Sequence, residues 1–442
     1  MTEVQLLAHL LRRAGFGASP AELDQARRDG FAGTLERLLH FESVNDPVDD
    51  DLADVQDGLL DMRNAEDVRA AWLYRMIRTT RPLQERLVLF WHGHFATSVQ
   101  KVGDAGLMTR QMALFRRLAA GNFRSLLLEV TRDPAMLIWL DGRASRKAAP
   151  NENYAREVME LFTIGIGHYT EIDVREAARA FTGWTLREGV PVFDAGQHDK
   201  GEKTILGRKG AFGAEEVVDL LARHPATAQR LCSKLFREFV SPDPDRATLD
   251  AMVAEYTASG FDIRSVLRVL FSSPAFRADA AQWARIKSPV ELVVGAVRAM
   301  PGIVPVRSLP LHLRRMGQDL LAPPTVKGWD GGTSWLNTST MIWRFNCAKD
   351  TGPGTGNLPS PAWKPGELVA SLALDTAEKL VDHLLERFGP LSVTPTVRAK
   401  LVEYVQAPEG PKAAPYPAPG SLDAKLRGAA HLVMSLPEFQ LA

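Results

Sequence analysis

Helical spacing governs almost the whole chain. Leu6, Leu7, Leu10 and Leu11 form one apolar stripe, and Phe31, Leu35, Leu38 and Leu39 form another. Recurrence at i, i+3, i+4 and i+7 marks one face of an α-helix, whereas a half-buried strand needs strict alternation. The same spacing runs through residues 69–80, 82–92, 107–119, 123–131, 152–163, 171–182 and 214–222. It returns at 226–240, 247–258, 262–272, 288–299, 366–387, 395–405 and 422–435. Strand-like segments are few. The best are Val190–Phe193 and 204–206, which are expected to pair as a small hairpin around the loop between them. The expected fold class is therefore mainly α: a bundle-like, multi-helix single large domain with at most a small β-hairpin.

Of the 442 residues 45% are hydrophobic, enough for a sizeable core. Lys plus Arg number 53 and Asp plus Glu number 53, so no global field draws in nucleic acid or an anionic membrane. Nucleic acid is accordingly not expected as a partner. Cys232 and Cys347 are too few for a disulfide framework and lack a Cys-x-x-Cys spacing, so both are expected to be buried, inert thiols. The chain opens without a basic-then-apolar leader and contains no apolar run of about 18 residues. The expectation is no membrane span and a cytoplasmic location.

Residues 46–61 are acidic and read as a surface excursion. The Pro/Gly-rich stretch 351–366 reads as a connector. It divides a main helical domain with a central cleft (1–350) from a C-terminal helical segment packed on it (367–442). Three segments repeat a local pattern, an Arg followed ten residues later by a Pro: Arg124 and Pro134, Arg264 and Pro274, Arg427 and Pro437. Each is expected to be a helix stopped by its Pro, with the next Met or Phe tucked back into the core.

The densest run of specific residues is 150–184, PNENYAREVMELFTIGIGHYTEIDVREAARAFTGW. Over 152–163, Asn153, Arg156, Glu157 and Glu160 fall at i, i+3, i+4 and i+7 and share a polar face. That face is either a solvated surface or the carboxylate-bearing wall of a cleft. On the second reading Glu157 is a metal ligand and Glu160 a general base. Arg175 and Arg179 share a polar face of the next helix, as an anion site or as clamps on the preceding carboxylates. His92 and His94 form a His-x-His. In a helix such a pair points about 200° apart, but in an extended segment both point one way. Gly93 and the flanking aromatics favour a helix end here, which lets the pair converge on a metal. The alternative is a buried, hydrogen-bonded core histidine. His198 and Asp199 lie on a Gly-flanked loop, a plausible ligand and base pair. The loop 323–337 holds Trp329, Asp330 and Trp335 among Pro and Gly, presenting aromatic planes to a sugar or packing as a rigid plug. No phosphate-binding P-loop, dinucleotide fingerprint, G-x-S-x-G elbow or H-E-x-x-H helix is present.

Several of these stretches occur together and in register. FWHGHFATS (90–98), the run 150–184, QHDKGEKTILG (197–207), HPATAQRLCSKLFREFV (224–240) and PPTVKGWDGGTSWLNTS (323–339) resemble the bacterial family named "domain of unknown function 1800". The opening HLLRRAGFGAS and the ending MSLPEF are similar to it as well, so the resemblance covers nearly the whole chain. It implies a family of exported proteins, often encoded beside a phosphatase-like or sulfatase-like partner protein. It also implies a His where this chain has Leu118.

The expected function is a metal-dependent hydrolase acting on a small or saccharide-like polar substrate. His92, His94, Glu157 and His198 would hold a divalent ion (zinc, manganese or iron) that activates water. Glu160 or Asp199 would be the base, and Arg156 an anion stabiliser. Asn153, Arg179, Trp329, Asp330 and Trp335 would bind substrate. Two alternatives stand beside it: a carboxylate–histidine iron redox enzyme, and a non-enzymatic helical scaffold for a partner protein.

Overall fold

A computed structural model describes residues 1–299, 307–350, 365–408, 415–418 and 420–442. Among these the helical spacing is realised as twenty-three α-helices, with longer stretches outside α-helix between Ala180 and Ala214 and between Arg315 and Thr338. Most expected segments differ from the observed helices by a few residues at either end: 82–92 is Pro82–His94, 214–222 is Ala214–Arg223 and 226–240 is Pro225–Phe239. Two expectations need correction. The acidic excursion is itself a helix, Val48–Leu59, which buries Val48 and Leu52 in a small satellite core with Ala70 and Ala71. The single helix expected over 366–387 is two, Pro365–Ser371 and Ala377–Arg387. Thr376 caps the second by accepting from the Lys379 amide, and Ala373 turns the chain at φ +50°.

Sheet is confined to two hairpins among the described residues. Trp184–Arg187 pairs with Val190–Phe193, and Lys203–Ile205 pairs with Arg208–Gly210. The two segments expected to pair with each other instead pair with their immediate neighbours. Each turn carries two consecutive positive φ angles, at Glu188-Gly189 and at Leu206-Gly207. That is the geometry matching the right-handed twist of a two-residue hairpin.

One buried core runs from Leu7 to Phe439. The C-terminal residues are part of it: Ala442 exchanges backbone hydrogen bonds with Arg285, and Lys287 donates to the Phe439 carbonyl. Residues 351–364, most of the expected connector, lie outside the described set. All three helix-stop units place Pro at the start of the next helical turn, and Met136, Phe276 and Phe439 are buried after it. The first two units match from their caps onward, since Asn122 and Asp262 each cap a helix and bridge one another. The third departs, because Lys425 lies inside the helix Leu422–Ser435. No helix among the described residues is long and apolar enough to cross a membrane.

Candidate functional site

The helix Pro82–His94 lies deep in the body and does not end before its histidines. His92 and His94 are therefore two positions apart on continuous helix and point to different surroundings. The expected convergence fails for that reason. His92 Nε2 accepts from the Leu321 amide at 3.1 Å, and its ring stands edge-on to Trp72 and Trp329. Burial, and then Arg69, hold its pKa down to about 3. His94 is equally buried, and Nε2 donates to the Phe162 carbonyl at 3.1 Å. Nδ1 is left to accept, and it takes a hydrogen bond from Lys234 Nζ at 3.1 Å. Burial and the neighbouring Lys234 charge keep this imidazole neutral, with a pKa well below its usual value.

The run 150–184 contributes to this arrangement through its backbone. The α-helix Glu152–Glu157 widens into a π-turn, Val158–Phe162. A helix end leaves carbonyls without intrahelical partners, and π-turns are frequent at functional sites. Here Gly165 N–H satisfies Met159, Thr163 Oγ1 satisfies Val158, His94 satisfies Phe162, and Lys234 reaches Leu161 at 3.5 Å. The helix end thus fixes both members of a Lys–His pair.

That pair sits at a cleft of about 500 Å³, lined by His94, Leu161, Lys234, Lys327 and the loop residues Trp329, Asp330 and Trp335. The loop is held against the helix by two glycines. Gly328 has φ +88°, and a Cβ there would lie 2.3 Å from the Gly93 carbonyl oxygen. Only glycine permits that approach. Arg230, Lys234 and Arg237 also line the cleft. They fall at i, i+4 and i+7 on Pro225–Phe239, so one helix face presents three cations. Arg230 borders a second, open cavity as well, beside Glu160, His168 and His224. Lys234 is half-buried, and burial followed by the charges of Arg230 and Lys327 lowers its pKa to about 7. Its amine is thus partly unprotonated near neutrality.

The remaining expected residues lie elsewhere. Among the described residues no group of three or more His, Cys, Asp or Glu side chains is arranged to hold a metal ion, so His92, His94, Glu157 and His198 form no common ligand set. His198 Nδ1 bonds the Thr182 carbonyl at 2.9 Å. Asp199 is gripped by Arg179 at 2.7 and 3.1 Å, which holds its carboxyl below the usual range and makes it a poor base. Arg179 also binds Glu176, so it clamps the 197–207 loop to its helix. Arg156 bridges Glu171 and Glu152, and Asn153 donates to Asp141. Glu160 accepts from Tyr169 Oη at 2.6 Å on the second cavity. Glu157 is half-buried, and burial with the nearby Glu160 charge raises its pKa. Leu118 caps the helix Ala105–Arg117 and packs against the core. Of the sequence-derived set, His94, Trp329, Asp330 and Trp335 share the cleft. Lys234, Arg230 and Arg237 were missed, although their spacing on one helix face is legible in the sequence.

The family described as "Protein of unknown function (DUF1800)" matches residues 9–441. The chain belongs to this family. The match spans every segment that builds the cleft: the Pro82–His94 helix, the π-turn, the Pro225–Phe239 helix and the Trp329 loop. No curated protein matches the chain. No solved structure matches it either. Membership of the DUF1800 family thus fixes kinship, and the chemistry has to be argued from the cleft itself.

Proposed function

We propose that the cleft is the active site of a hydrolase for a small, polar, saccharide-like substrate, with Lys234 as general base. The observation that carries this reading is the Lys234–His94 pair, 3.1 Å apart, at a cleft walled by Trp329 and Trp335. Indole faces suit the apolar face of a sugar ring. His94 Nδ1 receives one N–H of Lys234 and so orients the amine; the Phe162 carbonyl fixes the imidazole tautomer. An amine whose pKa lies at about 7 is matched to proton transfer at that pH. In the proposed step water attacks the electrophilic centre while Lys234 Nζ takes its proton. The bond to the leaving oxygen then breaks, and the ammonium returns that proton to the leaving group. Lys234 is put forward as the base because, among the described residues, no group of three or more His, Cys, Asp or Glu side chains is arranged to hold a metal.

The test is turnover. Purified protein is screened against chromogenic glycosides, carboxylic esters, and phosphate and sulfate esters. At least one should be hydrolysed, with kcat/KM rising through pH 7. Lys234→Met should lower it by about 100-fold or more, the usual worth of a positioned base. An empty screen, or turnover that survives Lys234→Met, overturns the proposal.

A further inference from the structure

Three cations share one face of Pro225–Phe239, and no carboxylate lies within ion-pairing distance of any of them among the described residues. Arg237 finds only neutral partners, the Pro242 carbonyl and Ser233 Oγ. Lys234 finds the neutral His94 and a carbonyl. Arg230 is half-buried over Gly165, with its buried Nε lacking any hydrogen-bond partner. The carboxylates that do line the cleft are committed elsewhere. Glu291 and Glu238 bind Arg86 and Arg285, and Asp330 binds Lys327. Arg230 and Lys234 are half-buried and Arg237 is exposed at the rim; a partly buried charge without an ion-pair partner is costly, and folded proteins usually pair it. The elements that hold these side chains are otherwise well satisfied: His224 caps the helix, and its apolar face is buried in the core.

We infer that the substrate carries a tetrahedral oxyanion, a phosphate or sulfate ester, recognised by Arg230 and Arg237 beside Lys234. This rests on the cleft being the active site as proposed above. A guanidinium pairs with two oxyanion oxygens at once, and a tetrahedral group offers three or more oxygens to cations approaching from one helix face. A carboxylate offers only two. Burial lowers the Arg230 pKa, and the charge of Glu160, across the shared wall and itself held by Tyr169, offsets part of that without reaching ion-pairing distance. Arg230 is thus a binding residue. Its position between two cavities, which a purely structural arginine does not need, follows from that role.

The test is calorimetric titration of the full chain with sulfate alone, with inorganic phosphate alone and with acetate as control. Sulfate or phosphate should bind saturably and acetate should not; the tighter of the first two names the ester. Binding should weaken as pH rises through 7, since Lys234 loses its proton there. Arg230→Gln should weaken binding about tenfold or more, the scale of a lost charge-assisted pair. Arg237→Gln, at an exposed position that tolerates change, should weaken it several-fold and guards against misfolding of the first variant. No binding of either oxyanion at tens of millimolar, acetate binding equally well, or unchanged affinity in both variants overturns the inference. Loss of turnover in Lys234→Met would still stand in that event, so the two proposals fail separately.

Discussion

A lysine amine beside two other cations in a half-buried cleft is placed against its own protonation. The folded state holds the Lys234 pKa near 7, from an ordinary 10.5. Between those values the unfolded chain binds the extra proton, so stability rises with pH across that window, and the penalty is complete below pH 7. Lys234→Met removes the penalty and retains the length of the side chain. It should stabilise the fold by about 1–3 kcal/mol at pH 6, net of the hydrogen bond lost at His94, with the gain shrinking by pH 9. Denaturant melts of both proteins at the two pH values check this; a variant less stable than wild type at pH 6 contradicts it. A residue that lowers stability where it stands is the usual mark of a site built for chemistry. Sequence reasoning found His94 but not its partner, because Lys234 and His94 lie 140 positions apart and only the fold joins them. It overvalued Asp199 and Arg156 for the opposite reason. Charged residues in a dense motif look catalytic until their ion pairs are known.

At the scale of elements, the run 150–184 matters through its shape. Periodicity shows a helix there but not its π-turn, since a single inserted residue leaves the polar stripe intact over two turns. The consequence is that carbonyls, rather than Glu157 and Glu160, serve the Lys–His pair. In sequence the Trp329 loop reads equally as substrate platform and as plug, and in the fold it packs on the body at the edge of the cleft. Trp329 packs on His92 while lining the cleft. Its seat depends on the Gly93–Gly328 contact, where a Cβ on Gly328 would meet a carbonyl at 2.3 Å. Gly328→Ala should therefore lift the loop and cost about 2–3 kcal/mol, from overpacking plus an unfavourable φ. A thermal melt and the Trp emission maximum read this out. An unshifted melt would show that the loop does not depend on the contact. The hairpins taught the same lesson as the helices: strand segments were legible, but partners depended on the positive-φ turns at Gly189 and Gly207.

For the molecule as a whole, the mainly α class was legible because burial of one stripe per helix leaves its spacing in the sequence, and the same signal cannot say which helices meet. The interior holds several neutral imidazoles. Burial holds His9 near a pKa of 2 and His92 near 3, and keeps His94 well below its usual value. The unfolded chain binds those protons near 6.5, so stability falls as pH drops below that value, by about 1.4 kcal/mol per pH unit for each histidine. Three such groups acting together would consume about 6 kcal/mol by pH 5, comparable to the whole stability of a typical domain. Helical circular dichroism followed against pH should show cooperative loss near pH 5, and a fold intact at pH 4 would refute this account of the core. The central claim is that Lys234 is an amine poised to lose its proton near pH 7 in a working cleft, and the most direct test is its reactivity. Brief acylation of the full chain from pH 5.5 to 10, with each lysine followed by peptide mass spectrometry, should give Lys234 a midpoint near 7, well below the ~10.4 of a free lysine side chain. A Lys234 that titrates with the surface lysines, or that fails to react at any pH, would contradict it.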